Sequence, residues 1–352
     1  MKINHEKRYI VFSNEEKTYL SDIDFQHFFR ANQNVEEVSF WNEIDTKMIQ
    51  MERHFFHYNN YSKEIDVGIY GFPYSLGSLI ADSKVGDFPS YLRMISQFYR
   101  VFSECSDYSA SGIYDMEEQR LLFEGLRMAD LGDVFIENRD VNICCRQMTK
   151  LYQWSLIKKV PLVAVGGDHI LTYVVQMILR ELQQEKVVVV ILDAHHDCKN
   201  TLFEDEQVNH ANFVRKLTEF NNIEKIIQIG VRGVRSISNI VFHDKIVQYC
   251  GVQDIDELKK ELRLCYGYKI YLSIDLDVID PVIYPCVDFG IPNGFTVKQL
   301  RTVLKTIFEE KLEFIGCDLV EGLPEKNNQY SQIPINVLSI VLDCIRQNLR
   351  TQ

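Results

Sequence analysis

Three apolar runs in this chain stop abruptly on acids and histidines. Residues 187–192 are followed by Asp193-Ala194-His195-His196-Asp197, residues 161–165 by Gly166-Gly167-Asp168-His169, and residues 269–274 by Asp275-Leu276-Asp277. Runs this short and this apolar read as strands buried on both faces of a sheet. In extended chain, alternate side chains share a face. Asp193, His195 and Asp197 are therefore expected on one side, with Asp275 and Asp277 likewise together. His196 should turn away into a structural role. With His169 added, six metal-type ligands converge.

Similar runs recur at 66–70, 127–131, 225–229 and 314–319. Helical patterns lie between several of them, at 145–158, 171–184, 255–264 and 296–311. In the last, Val297, Leu300, Val303, Leu304 and Ile307 form a stripe at helical spacing behind Thr296, a residue type that caps helix starts. Strands alternating with helices predict a three-layer α/β/α fold with a mostly parallel central sheet. Ligands in such sheets bind beyond the carboxyl ends of the strands. The first 62 residues lack this rhythm and are rich in aromatics, among them Phe25, Phe28, Phe29, Phe40, Trp41, Phe55 and Phe56. The chain thus divides into an N-terminal extension over 1–62, packed on the domain or a neighbouring subunit, and a catalytic domain over 63–352.

The chain has 352 residues and a formal net charge of -12. That balance argues against a nucleic-acid or anionic-membrane partner and suits a cationic substrate. No stretch approaches the roughly 18 apolar residues of a membrane span. Residues 1–9 are polar and charged, without the apolar core of a signal peptide. The nine cysteines read as reduced thiols in a cytoplasmic protein. Cys198 and Cys286 lie beside the expected site.

Four carboxylates (Asp193, Asp197, Asp275, Asp277) and two imidazoles (His169, His195) form a hard-to-borderline ligand set without thiolate. Such a set suits manganese. Four negative ligands also offset two dications. Two ions about 3.5–4 Å apart acidify a shared water, so the pattern is that of a two-metal hydrolase. A single-zinc, deacetylase-like hydrolase is the rival class, and the extra ligands His169 and Asp277 argue against it. A metal-stabilised binding protein is the non-enzyme alternative, and an eroded ligand set would signal it.

On these motifs the chain resembles the ureohydrolase (arginase/agmatinase) family. It carries that family's GGDH at 166–169, DAHxD at 193–197 and SxDxDxxDP at 273–281, with further matches at 71–77, 130–133 and 316–321. The resemblance implies an arginase-like fold, two Mn2+ per chain, and hydrolysis of a guanidinium to urea and an amine. It implies that Asp193 and Asp275 bridge the ions, that His169 and Asp197 complete one shell, and that His195 and Asp277 complete the other. It makes His210, Glu321 and Asp197 the catalytic candidates, His210 as proton shuttle and Glu321 as guanidinium anchor. It also implies a homo-oligomer, a trimer or hexamer.

The departures lie at the far end of the expected pocket. Lys199 and Glu206 stand roughly where the family's arginases have asparagine and serine, which makes them candidates for binding the substrate tail. Gly230-Val231-Arg232-Gly233 is closer to agmatinases, Cys286 replaces a small residue, and Ile170 and Val174 replace a hydroxyl residue and a proline. The partner is then a guanidinium-bearing small molecule or an arginine-containing peptide. Peptidyl arginine converted to ornithine is slightly favoured over agmatine, with a guanidino acid or free arginine behind.

Overall fold

Val187–Leu192 is a strand with every residue buried, and its side chains divide by parity. Val187, Val189 and Ile191 enter one hydrophobic core, while Val188, Val190 and Leu192 enter another. A strand buried on both faces needs no polar alternation, which is why this one is valine throughout save its last two residues. The computed structural model describes residues 54–57, 65–99, 112–136, 141–182, 185–199, 207–234, 236, 241–251 and 254–349, together with backbone strands at Lys2–Asn4, Tyr9–Val11, Lys17–Tyr19 and Met48–Ile49.

Among the described residues the central sheet has nine strands: β1 (Met48–Ile49), β2 (Val67–Phe72), β3 (Met128–Val134), β4 (Leu162–Gly166), β5 (Val187–Leu192), β6 (Ile223–Ile229), β7 (Ile246–Tyr249), β8 (Lys269–Asp275) and β9 (Glu313–Val320). Their spatial order is β7-β6-β5-β8-β9-β4-β2-β3-β1. Every pairing is parallel except that of β1 on β3. On one face lie α1 (Phe88–Ser96), α5 (Ile255–Leu264), α6 (Val297–Glu309) and α7 (Gln332–Leu349). On the other lie α2 (Val141–Lys158), α3 (Ile170–Leu182) and α4 (Phe213–Thr218). The fold is the expected three-layer arrangement.

Thr296 caps α6 reciprocally: its hydroxyl accepts from the Gln299 N–H at 3.2 Å, and the Gln299 side chain accepts from the Thr296 N–H at 2.9 Å. The expected strands shift by one or two residues at most ends. Asp66 and Arg127 fall just outside theirs and pair with each other. The sequence reading passed over β7, α1, α4, α7 and a small hairpin of Ile113–Asp115 on Arg120–Leu122.

Among the described residues, the chain ahead of residue 63 meets the domain at two places. Met48 and Ile49 pair with Val134 and Asp133 of β3. Phe55 and Phe56 are fully buried, and the Phe55 N–H donates to Asp130 Oδ2 at 3.0 Å. The other aromatics of that segment, Phe25 to Trp41, lie outside the described residues. Among the described residues no helix is long and apolar enough to cross a membrane.

Candidate active site

β5, β8, β9 and β4 are four consecutive neighbours, and their carboxyl ends are level. Leu192 pairs with Ile274, Asp275 with Val320, and Leu319 with Val165. The loops that leave these ends carry Asp193–Asp197, Asp277, Glu321 and His169 in turn. The sheet therefore brings together groups more than 150 residues apart in the chain, as the bond between His169 and Glu321 demonstrates with its separation of 152.

The local geometry corrects one expectation. β5 stops at Leu192, and the acids beyond it are not in extended chain. Asp193 Oδ1 accepts the His195 N–H at 2.5 Å, a side-chain turn that bends the backbone, and Asp197 has φ of +43°. Strict alternation is lost there; His196 borders the same cavity as His195 and Asp197, but its Nε2 is buried and it belongs to no group of ligand atoms among the described residues. Asp277 likewise sits in a short 3-10 turn, with its N–H held by Asp275 Oδ1 at 2.8 Å.

Two groups of ligand atoms result, His169–Asp193–Asp275 and Asp193–His195–Asp277, each with its atoms within 4.8 Å of one another. They share Asp193. His169 Nδ1 lies 3.2 Å from Asp193 Oδ2, 3.1 Å from Asp275 Oδ2 and 3.5 Å from Asp197 Oδ2. His195 Nδ1 lies 2.6 Å from Asp277 Oδ2. Burial and mutual repulsion push Asp275 and Asp277 up and take Asp197 to about 7. Burial opposes protonation of His195, but Asp193 and Asp277 outweigh it and lift the imidazole to about 11. Carboxylates crowded this closely require positive charge among them. Buried His169 Nδ1 and Asp193 Oδ2 also have no hydrogen-bond partner. A donor set of oxygens and imidazole nitrogens with such atoms facing one another fits a divalent cation.

His210 and Glu321 adjoin the cluster. The Glu321 Oε1 atom accepts the His169 N–H at 2.8 Å and faces His210 Nδ1 at 3.2 Å. His210 Nε2 receives the Leu79 N–H at 3.1 Å, while the His210 N–H donates to Gly77 O at 3.0 Å. Because an amide can only donate, Nε2 must accept, and the imidazole proton belongs on Nδ1, toward Glu321. Burial lowers the proton affinity of His210, and the Glu321 carboxylate more than offsets it.

His195, Asp197, His210, Asp275, Asp277 and Glu321 line a cavity of about 280 Å³, while His169 and Asp193 are fully buried. Lys199 lines it, is exposed, and is its one cation of fixed charge among the described residues. Glu206 lies outside the described residues. Leu79, Asp288 and Phe289 also line it, and the sequence analysis assigns them no role. Phe289 is 48% exposed, with its ring 6.3 Å from His195 and 6.1 Å from His210. Asp288 accepts from the Ser83 hydroxyl at 2.6 Å, and Leu79 stands over His210. Their signal was weak, because an acid and an aromatic in a loop are ordinary surface residues. Buried Asp168 was also passed over. It accepts the Gly77 N–H at 2.6 Å and so fixes the loop that holds His210.

The remaining departures are structural in position. Arg232 donates to the carbonyls of Asp277, Ile291 and Val278 at 2.8, 2.7 and 3.2 Å, fastening two loops behind the cluster. Ile170 and Val174 are buried in the core. Cys198 is buried with its thiol pushed up to about 12, and Cys286 reaches about 11, so neither is a ready nucleophile.

The sequence pattern of the arginase family matches residues 65–345. The chain belongs to the arginase family. Among curated arginase-family relatives, it is 27% identical to the mitochondrial guanidino acid hydrolase of Homo sapiens over 213 residues, 58% of this chain and 60% of that one. It is 29% identical to the guanidinobutyrase of Pseudomonas aeruginosa over 223 residues, 60% of this chain and 68% of that one. The chain thus spans less than two thirds of the human relative's length. The fold of the Thermoplasma volcanium agmatine ureohydrolase is similar, with a TM-score of 0.66 at 21% identity over 86% of this chain and 96% of that one.

Proposed function

We propose that this chain is a binuclear manganese hydrolase that cleaves a guanidinium group to urea and an amine. The observation that carries this reading is the gathering of six ligand side chains, Glu321 and His210 at four adjacent strand ends, beside one cavity. His169, Asp193, His195, Asp197, Asp275 and Asp277 would hold the two ions, with Asp193 common to both groups of ligand atoms. Bound there, the ions supply a water acidified to near neutral pH and a Lewis-acidic charge beside the substrate. The protein's own groups do the rest. Glu321 receives the guanidinium, His210 holds on Nδ1 the proton that the departing amine needs, and Phe289 walls the cavity and excludes water.

The catalytic unit is taken as residues 63–352. Peptidyl arginine carries no charge beyond its guanidinium. Lys199 in the cavity wall favours a second reading, in which the tail bears a carboxylate, as in a guanidino acid or free arginine. Agmatine carries a second cation, which Lys199 would repel. Guanidino acid hydrolase and guanidinobutyrase among the relatives support the carboxylate reading.

The test is urea release by manganese-loaded protein offered an internal-arginine peptide, arginine, agmatine and 4-guanidinobutyrate in parallel. Urea from any of the four supports the reaction, and the preferred member names the tail. Silence on all four would overturn the reading.

A further inference from the structure

The loop that follows β2 touches His210 and then crosses to the far wall of the cavity. We propose that Ser83 and Asp288 form a clasp that holds this loop against His210, and that both are positioning residues for the proton carrier. The Ser83 hydroxyl donates to Asp288 Oδ2 at 2.6 Å, across 205 residues of chain. The Leu79 N–H donates to His210 Nε2 at 3.1 Å. Among the described residues, these two hydrogen bonds are the ones that tie residues 78–84 to distant parts of the molecule. The others are local, such as those from the Ile80 N–H to Ser78 Oγ and from the Val85 N–H to Ser83 Oγ.

The two walls that the clasp joins differ in firmness. The loop of Asp288 is fastened on both sides. Cys286 O accepts the Leu323 N–H at 2.9 Å, and Asp280 Oδ2 accepts the Gly294 N–H at 3.0 Å. The loop after β2 is fixed at Gly77, whose N–H donates to Asp168 at 2.6 Å, and again at fully buried Val85. Between those points Leu79, Ala81, Asp82 and Lys84 are exposed. A lone amide bond from an exposed loop to an imidazole opens readily. A hydroxyl bonded to a carboxylate is the stronger kind. The clasp therefore lends the firm place of Asp288 to the Leu79 N–H, and with it fixes how the His210 ring stands beside Glu321.

The inference rests on the reading of His210 as the proton carrier, so one test is made without substrate and one with it. Hydrogen exchange over residues 78–85 is followed by mass spectrometry in the unaltered protein, Ser83→Ala, Asp288→Ala and Asp288→Asn. The two alanine variants are expected to exchange roughly 10–100-fold faster there, the worth of a hydrogen bond to a charged group. Asp288→Asn keeps an oxygen for the Ser83 hydroxyl and should recover most of the protection. In urea release from whichever of the four substrates is turned over, the alanine variants should lose about 10-fold in kcat, with KM and manganese content little changed. In a His210→Asn background, Ser83→Ala should cost nothing further, because the clasp acts through His210. Unchanged exchange in Ser83→Ala, or an equal kcat loss with and without His210, would overturn the proposal. A raised KM in Asp288→Asn and Asp288→Ala alike, with Ser83→Ala unaffected, would overturn it too and give Asp288 to a cationic group on the substrate. Absence of urea from the unaltered protein would sink the proposed function, and the exchange measurement would still decide the clasp.

Discussion

A guanidinium is flat, permanently charged and offers parallel N–H bonds, so the carboxylate that receives it works best with both oxygens. Glu321 already uses Oε1 twice, for the His169 N–H and toward His210 Nδ1. Its backbone is also unusual, with φ of +61°, held by a 2.9 Å bond from its N–H to Gly167 O. One side chain thus ties together His169, His210 and the place proposed for the guanidinium. Glu321→Gln keeps an oxygen for the His169 N–H but removes the charge. Manganese content should be unchanged by elemental analysis, while kcat/KM falls roughly 30–100-fold, the worth of about 2–3 kcal/mol from a charge-assisted bond. Steady-state kinetics indistinguishable from the unaltered protein would show that Glu321 is not the anchor.

At the scale of elements, the junction between β4 and α3 is the tightest place in the site. A Cβ on Gly167 would stand 1.8 Å from the carbonyl oxygen of Tyr74, in the loop after β2. That loop is bonded to the junction, since the Gly167 N–H donates to Phe72 O at 2.8 Å and the Asp168 N–H to Tyr74 O at 2.9 Å. Backbone cannot yield as a flexible side chain would. Gly167→Ala should therefore push the loop outward, lower stability by about 1–3 kcal/mol, and weaken Mn2+ binding through the adjacent His169. Gly267→Ala is a useful contrast: its Cβ meets nothing within 4 Å, so its cost is the strain of φ +91° alone. Denaturant unfolding of both variants checks this, and equal Mn2+ affinity in Gly167→Ala and the unaltered protein would contradict it. The elements that build this junction were legible in sequence because β4, β5 and β8 are apolar on both faces and then break off into acid and histidine. α7 was not, because Gln332–Leu349 is apolar over so much of its circumference that no single stripe marks it. β7 was missed for the opposite reason, since this half-exposed edge strand has no fully buried residue. The bend at Asp193–Asp197 also escaped a reading based on alternation, because side-chain capping by Asp193 overrides the strand period.

For the whole molecule, the sheet is a scaffold that concentrates negative charge at one end. Four carboxylates meet inside a chain whose net charge is already -12, and three of them are pushed up in pKa by burial and by one another. Folding must gather these charges, and a bound cation offsets that repulsion only in the folded state. Anything that binds the native state alone stabilises it by RT ln(1 + [L]/Kd), about 2.7 kcal/mol at a hundredfold excess over Kd. For a domain of this size each kcal/mol moves Tm by roughly 2–4 °C. Stripping manganese with a chelator should therefore lower Tm by about 5–10 °C, and adding Mn2+ back should restore it. The same treatment of an Asp193→Asn variant should move Tm far less, because Asp193 belongs to both ligand groups. The comparison is made by calorimetry on both proteins with and without chelator. A chelator-insensitive Tm in the unaltered protein would mean that the carboxylate cluster carries no structural cation, and the assignment of these strand ends to metal binding would have to be withdrawn.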